Sequence, residues 1–186
     1  MFVETLLDAQ LLGLIAEGDE LALRELVERH SAWLLLRLQR RTPDADLAAQ
    51  ALNDTFVAVW RKPRAFRGEG DVGAWLWGIA IRQLVTLLRK RAQPTPVTGQ
   101  VISALSVTVR SAEDELLVAV EHGAVGEALR TLSPDLLRVL QATVIDGLST
   151  REAAQLLGIP QGTVKSRARL AKSHLRKQLI SMEGWS

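Results

Sequence analysis

Apolar residues recur at intervals of three and four along most of this chain, and this period places them on one face of an α-helix. In the first half, four such segments are separated by glycine, proline or charged residues. They predict four helices, which end near Gly18, before Pro43, before Pro63 and near Arg91. Strand-like alternation is confined to 105–109, so the pattern predicts an all-α protein.

The second half repeats this helical period after an interruption. Two further helices are predicted ahead of residue 147, one over about 113–131 and one from Pro134 to Ile145 with Ser133 as its N-cap. Residues 93–112 show no helical period and begin with the run QPTPVTGQ. Such a stretch is unusual inside a compact domain and typical of a linker. The sequence therefore predicts two small helical domains, 1–92 and 113–182, joined by a flexible linker.

Residues 147–177 carry the most informative pattern in the chain. Ser149 and Glu152 have the spacing of a capping box, in which the hydroxyl and the carboxylate each satisfy a backbone N–H at a helix start. Gly158 and Pro160 predict a turn, because glycine can leave a helix and proline can open the next one. The apolar stripe of the second helix comprises Val164, Ala168, Ala171, Leu175 and Leu179. Its other face carries four regularly spaced cations, Lys165, Arg169, Lys172 and Arg176.

Two helices joined by a tight turn, with cations along the second, are typical of a helix-turn-helix that places its second helix in the major groove of DNA. The alternative is an αα-hairpin whose basic face is only solvated. Small residues at the predicted crossing (Ala153 and Ala154) and seven cations against one acid over 150–180 favour the DNA binder.

The formal net charge of +2 conceals a segregation of charge along the chain. Residues 1–60 hold ten acids and five bases, whereas 61–91 hold eight bases and two acids. Residues 113–146 hold seven acids and two bases, ahead of the basic segment at 150–180. An acidic segment thus precedes a basic one twice, which predicts two separate basic surfaces.

The first basic surface combines cations with aromatic rings, a combination that suits unpaired nucleic acid because bases stack on rings while cations follow phosphates. The candidate residues are Arg64, Phe66, Arg67, Trp75, Trp77, Arg82 and Arg89. Tryptophan is more often a core residue. We favour the core for Trp33 and Trp60, whereas for Trp75 and Trp77 core packing and strand contact both remain open.

Composition limits the remaining classes of site. The absence of cysteine excludes disulfides and thiolate chemistry, and the three histidines lack metal-ligating spacing, so no metal or cofactor is predicted. No apolar run approaches the ~18–20 residues of a membrane span. No signal peptide is evident in the sequence, so a cytoplasmic location is expected.

Four motifs, taken in order, resemble bacterial RNA polymerase sigma factors of the extracytoplasmic-function (ECF) group of the sigma-70 family, in its two-domain form. Residues 17–22 (EGDELA) and 26–30 (LVERH) together resemble the opening helices, and 53–60 (NDTFVAVW) resemble the segment that grips the polymerase. Residues 74–80 (AWLWGIA) resemble the start of the helix that reads and opens the −10 element. Residues 162–167 (GTVKSR) resemble the helix that reads the −35 element.

The resemblance implies a non-enzymatic factor that directs core RNA polymerase to promoters, with no cofactor and with an anti-sigma factor as a further expected partner. The implied polymerase contacts are Asp46, Asn53, Asp54, Phe56 and Trp60. The implied −35 base-edge contacts are Lys165, Ser166 and Arg169. The implied phosphate contacts are Thr163, Arg167, Lys172, Arg176 and Lys177. The aromatic and cationic residues of the first basic surface would then capture the opened −10 strand.

The chain departs from the family pattern at two places. The family commonly has an Ala-Glu-Asp run before the polymerase-gripping helix, where this chain has Ala48, Ala49 and Gln50. Arg82 stands at a position that is often asparagine in the family, which implies an altered −10 preference because arginine favours guanine edges or phosphates.

Two other classes of function compete with this interpretation. A polymerase-independent helix-turn-helix regulator would carry a ligand-binding or dimerisation domain at its N-terminus. However, such a domain has no need of a helix rich in cations and tryptophan. An enzyme has little support, because the carboxylates are scattered on predicted solvent faces and no catalytic triad order or phosphate-binding loop is present.

Overall fold

The computed structural model describes residues 6–92 and 124–183. The chain divides into two compact units, Met1–Lys90 and Arg91–Ser186. All regular structure within the described ranges is helical, which confirms the all-α prediction there. The predicted linker at 93–112, the alternation at 105–109 and the start of the predicted helix at 113–131 lie outside the described residues. The domain boundaries therefore stay a prediction.

Over residues 6–92 the structure shows four helices where the apolar period predicted four. They are α1 (Asp8–Ala16), α2 (Glu20–Gln39), α3 (Ala45–Arg61) and α4 (Val72–Ala92), with a short 3-10 turn at Pro63–Ala65. Asp19 and Asp44 cap α2 and α3, since each side chain accepts hydrogen bonds from backbone N–H groups of the first turn. These caps fix the starts of α2 and α3, and the intervening glycine and proline explain why the helices before them end where the sequence indicated.

The core of the first unit is an aliphatic cluster contributed by all four helices. Its fully or almost fully buried members include Leu11, Ile15, Leu26, Leu34, Leu38, Ala51, Val59, Leu76, Ile81 and Leu84. Burying a leucine or isoleucine side chain contributes about 1.5–3 kcal/mol. This core therefore holds α3 and α4, which carry most of the candidate residues, on a packed scaffold.

A polar network ties α1 to α2. The Arg29 guanidinium donates to Asp8 Oδ1 at 2.9 Å, and His30 Nε2 lies 2.7 Å from Asp8 Oδ2. Trp33 Nε1–H donates to His30 Nδ1 at 3.0 Å, so the remaining ring proton of a neutral His30 faces Asp8. Burial raises the pKa of Asp8, but the hydrogen bonds from Arg29 and His30 and the neighbouring positive charge outweigh it and hold that pKa below its usual value.

The second unit contains α5 (Ala124–Arg130), α6 (Pro134–Leu140), α7 (Thr150–Leu157) and α8 (Gln161–Glu183). A π-turn at Gln141–Ile145 continues α6, so the helical segment reaches Ile145 as predicted, but its last five residues are more loosely wound. Ser133 has extended backbone at the N-cap position but makes no side-chain capping hydrogen bond. One core cluster joins α5 and α6 to α8: Leu129, Leu132, Leu137, Leu140 and Ala171, with Leu136 and Leu175 packed against it.

Candidate nucleic-acid interface

The helix-turn-helix forms as the sequence predicted. Ser149 N–H donates to Glu152 Oε2 at 2.8 Å, and Glu152 N–H donates to Ser149 Oγ at 3.3 Å, which completes the capping box of α7. Gly158 ends α7 in the left-handed region at φ +63°, a conformation that glycine adopts without the strain a side chain would bring. Gln161 Nε2 donates to Thr150 Oγ1 at 3.0 Å and so links the starts of α7 and α8.

The second helix of this motif buries one side and exposes its cations. Val164 and Ala171 are fully buried and Ala168, Leu175 and Leu179 partly so, which confirms the predicted stripe. The exposed residues of α8 include five cations, Lys165, Arg169, Lys172, Arg176 and Lys177, and also Ser166. These side chains give α8 a cationic surface on the side away from the core, as required of a helix that enters a groove lined by phosphates.

Two of the predicted −35 residues have partners within their own unit. Arg167 is half-buried, and its NH2 atom lies 2.7 Å from Asp135 Oδ2, while the other carboxylate oxygen of Asp135 pairs with Arg138. Arg167 thus differs from the five exposed cations in being held by a carboxylate of α6. The Ser166 hydroxyl donates to the Thr163 carbonyl at 3.0 Å, so its oxygen is left to accept from a base edge.

The first basic surface combines a loop with the start of α4. The rings of Phe66 and Trp75 pack with centroids 5.5 Å apart and an interplanar angle of 57°. Arg64 and Arg67 flank Phe66 and are exposed. Asp71 opens α4, since its Oδ1 accepts from the Ala74 N–H at 2.8 Å. The structure therefore brings an aromatic pair and two exposed cations together in one short stretch.

Further along α4, Arg82 and Arg89 are exposed. The Arg82 NH1 group donates to the carbonyl of Gly78 at 2.7 Å, one turn back along the helix. The Thr86 hydroxyl donates to the Arg82 carbonyl at 2.9 Å. The Arg82 side chain is thus aligned along the helix surface, toward the end that carries the aromatic pair.

Trp77 corrects the sequence interpretation. It was a candidate for strand contact, yet only 3% of its surface is exposed. The Arg37 guanidinium lies 4.3 Å from its ring centroid and that of Arg41 5.6 Å, so its π face is covered by cations of the protein itself. Trp75, two positions earlier, is instead half-buried and packs against Phe66. Strand contact by Trp77 in this conformation is therefore excluded.

The predicted polymerase contacts on α3 fall into two groups. Asp46, Asn53 and Trp60 are exposed and Asp54 is half-buried, but Phe56 is only 8% exposed and faces the core. Trp60 is 38% exposed, so the core interpretation favoured for it is wrong. Trp33, for which the core was also favoured, is half-buried and hydrogen-bonded to His30.

Sequence reasoning missed Val57, which is 46% exposed and lies one turn after Asn53 and one turn before Trp60. The helical spacing of these three residues would have identified this surface.

Within residues 6–92 and 124–183, no group of three or more histidine, aspartate or glutamate side chains is placed to hold a metal ion. No helix in the same ranges is both long and apolar enough to cross a membrane.

Comparison with known proteins identifies both halves of the chain. Residues 26–93 match the family model for Sigma-70 region 2, and residues 122–175 match that for Sigma-70, region 4. The chain is thus a two-part transcription factor of the sigma-70 class.

Curated relatives identify the group within that class. The chain is 34% identical over 176 residues to the ECF RNA polymerase sigma factor SigM of Mycobacterium tuberculosis, covering 92% of this chain and 84% of the relative. It is 31% identical over 168 residues to SigL of the same species, covering 88% and 92%. Among solved structures, CnrH in complex with the cytosolic domain of CnrY matches with 24% identity and a TM-score of 0.42 over 94% of this chain and 97% of that one. The chain belongs to the ECF RNA polymerase sigma factors.

Proposed function

We propose that this sigma factor directs core RNA polymerase to promoters by two separate DNA contacts, one to the duplex −35 element and one to the opened −10 element. The observation that carries the proposal is the exposed cationic surface of α8 within a capped helix-turn-helix. The chain has a helix-turn-helix that suits duplex DNA and a second basic surface whose aromatic rings suit unpaired bases. Promoter recognition followed by strand opening requires both kinds of contact.

At the −35 element, Lys165, Ser166 and Arg169 contact base edges near the start of α8. Residues at the N-terminal end of a recognition helix are the ones that reach base edges in the major groove. Lys172, Arg176 and Lys177 contact phosphates further along the helix, where they set affinity and register but little sequence preference. Thr163 and Arg167 belong to the same end of α8, and Arg167 reaches a phosphate only when it leaves Asp135.

At the −10 element, the Phe66–Trp75 pair offers a stacking platform for an unpaired base, and Arg64 and Arg67 follow the adjacent phosphates. Arg82 and Arg89 continue this cationic track along α4. Because the Arg82 side chain lies along the helix toward Gly78, it contributes a guanidinium where the family often has an amide, which favours a guanine edge or a phosphate.

The polymerase contact lies on α3. Asn53, Val57 and Trp60 occupy successive turns of one exposed face, and Asp46 and Asp54 add acidic groups to it. An exposed tryptophan beside an aliphatic side chain is typical of the anchors of protein interfaces. Phe56 supports this face from the core and does not contact the polymerase directly.

The factor has no chemistry of its own and acts in the cytoplasm, where the polymerase performs the reaction. An anti-sigma factor is a further partner. One polymerase holds both DNA-binding surfaces, so once one surface is bound, the other meets its DNA element at a high effective concentration. The two modest affinities therefore combine into tighter binding. The isolated chain is therefore expected to bind promoter DNA weakly.

Run-off transcription from a randomised promoter library, with core polymerase in the presence and absence of the protein, tests the proposal directly. We expect transcripts that depend on the protein and share both a −35 and a −10 sequence. Co-purification with core polymerase in the absence of DNA is the companion measurement. A DNA-binding dimer indifferent to the polymerase would overturn the proposal in favour of a conventional regulator.

A further inference from the structure

Leu170 is a large apolar side chain exposed on α8, the helix that carries the cationic surface. It is 58% exposed, whereas the other exposed side chains in the first half of the helix are polar or charged. Single exposed hydrophobic residues are common on protein surfaces and usually need no explanation. Leu170 differs because it lies one residue after Arg169 and one turn after Ser166, two of the residues assigned to base edges.

The helical period places Leu170 on a separate edge of α8. At 3.6 residues per turn, Leu170 lies roughly 140° around the helix from Lys165 and roughly 120° from the buried Val164. Exposed residues on its own edge are Ser166, four positions before it, and Ser173 and Lys177, three and seven positions after it. The outward surface of α8 therefore has a cationic edge, through Lys165 and Lys172, and a second edge whose centre is apolar.

A helix in the major groove contacts the groove with both of these edges. The groove is about 12 Å wide, and a helix with its side chains is about 10–12 Å across. If the cationic edge follows one phosphate strand, the edge that contains Leu170 lies against base pairs or the opposite strand. The bases there present donors and acceptors, with one exception: thymine presents its C5-methyl group.

We propose that Leu170 reads the C5-methyl group of a thymine in the −35 element and so restricts which base pairs the helix accepts. Contact with the methyl removes apolar surface of both partners from water. Adenine or guanine would place a polar group against leucine and lose a hydrogen bond to water without replacement, and cytosine would leave the leucine without a methyl partner. The proposal deepens the function given above and rests on it, because it needs α8 to enter the major groove.

Deoxyuridine in place of thymine tests this contact, because it removes only the methyl group. The probe is a promoter selected from a library randomised across the −35 element by the wild-type protein with core polymerase. Each −35 thymine is replaced by deoxyuridine in turn, and promoter binding is measured for wild type and Leu170→Ala. At one or two positions we expect wild type to lose about fourfold in affinity, the effect of one buried methyl group. Leu170→Ala should lose nothing further at the same positions.

Ile180→Ala is the matched control. Ile180 is also an exposed aliphatic residue of α8, at 62%, but it lies ten positions later, roughly 15 Å along the helix. This variant removes a similar apolar surface and should keep the full sensitivity to deoxyuridine. Because both side chains are exposed, thermal unfolding of the two variants should match that of wild type.

Three results would overturn the assignment while leaving the sigma function intact. The first is a selected −35 element that contains no thymine. The second is equal affinity of the wild type for the deoxyuridine and the thymine promoters. The third is a Leu170→Ala variant that still loses affinity, as wild type does, when deoxyuridine replaces thymine. A loss of core polymerase binding by Leu170→Ala without DNA would assign the side chain to a protein contact and would also overturn it. If the wild-type protein selects no −35 sequence at all, the proposed function itself fails and the inference fails with it.

Discussion

The two basic surfaces differ in how they are built. The cationic surface of α8 lies on a helix whose start is fixed by the α7 turn and whose opposite side buries its own Val164 and Ala171. The surface around Phe66 and Trp75 instead includes a loop, in which Gly68 and Gly70 have positive φ values of 78° and 80°. The surface of α8 thus presents cations from one packed helix. The surface around Phe66 and Trp75 presents aromatic rings, and part of it is a loop whose backbone turns at the two glycines.

This difference matches the two forms of DNA that the surfaces are proposed to meet. Duplex DNA has a groove of regular width, so a preformed helix loses little conformational entropy on binding. A single strand has no fixed shape, and its bases bind by stacking on aromatic faces regardless of register. A loop with aromatic rings would therefore suit the duplex groove less well, and a preformed cationic helix would suit a single strand less well.

The largest expected effect is at the aromatic surface. Trp75→Ala should reduce open-complex formation by about 1–3 kcal/mol, because one base loses its stacking partner. The measurement is permanganate reactivity of −10 thymines in complexes with core polymerase. Trp75→Phe keeps a ring and should recover part of the loss. Duplex −35 binding should not change in either variant. An equal loss of −35 binding would contradict the proposal that the two surfaces bind different forms of DNA.

The next effect separates base readers from phosphate contacts within α8. Arg169→Ala should weaken a cognate promoter by about 1–3 kcal/mol and relax preference at one position. Lys172→Ala should weaken all DNA alike and reduce the salt slope by about one. Footprinting titrations with core polymerase at several salt concentrations distinguish them. If both variants lost affinity equally on cognate and unrelated sequences, Arg169 would not be a base-edge contact.

A smaller effect concerns the carboxylate that holds Arg167. Asp135→Asn should release Arg167 to the DNA and make the salt dependence of binding steeper, by up to about one in slope. Its cost in stability should be small, about 0.2–1 kcal/mol, because the pair is partly exposed. Arg167→Ala in the wild-type background is the control and should weaken DNA binding less than Lys172→Ala does. If it weakens binding as much, Arg167 contacts phosphate despite Asp135.

The smallest effect on DNA binding is expected in the polar network that ties α1 to α2, where the change acts on stability. Asp8→Asn should lower the free energy of unfolding by about 1 kcal/mol at neutral pH, by weakening charge-assisted hydrogen bonds to Arg29 and His30. Because the folded pKa of Asp8 is lowered, this contribution is present above the ordinary carboxyl pKa and is lost as the pH falls through the folded value. Thermal melts of the full chain should show the variants converging in acid. A constant difference across that range would mean that the Asp8 charge has no role.

Local signals made the helix-turn-helix predictable from sequence. The Ser149–Glu152 box, the turn at Gly158 and the stripe through Val164 each depend on residues a few positions apart, so sequence spacing determines the geometry. The helix ends of the first unit were predictable for the same reason. The domain limits and the roles of individual site residues stay predictions.

Tertiary contacts determine which of the aromatic side chains are buried, and the spacing of residues in the sequence could not predict it. Trp75 and Trp77 are two positions apart on one helix, and nothing local indicates that Arg37 and Arg41 of a distant segment cover the second ring. Phe56 and Trp60 are one turn apart on α3, yet the packing of the helix leaves one buried and the other exposed. Leu170 was within reach of sequence analysis, since its place on the helical wheel of α8 already separates it from the buried stripe.

The burial of Trp77 beneath two guanidinium groups also has a spectroscopic consequence. Its indole is shielded from water and from added quenchers, so its emission should be insensitive to nucleic acid. The neighbouring Trp75 should respond when a base stacks on it. In a protein whose other tryptophans are replaced by phenylalanine, this pair supplies a sensor and an internal reference separated by a single residue. Strand capture could then be followed in real time without any attached dye.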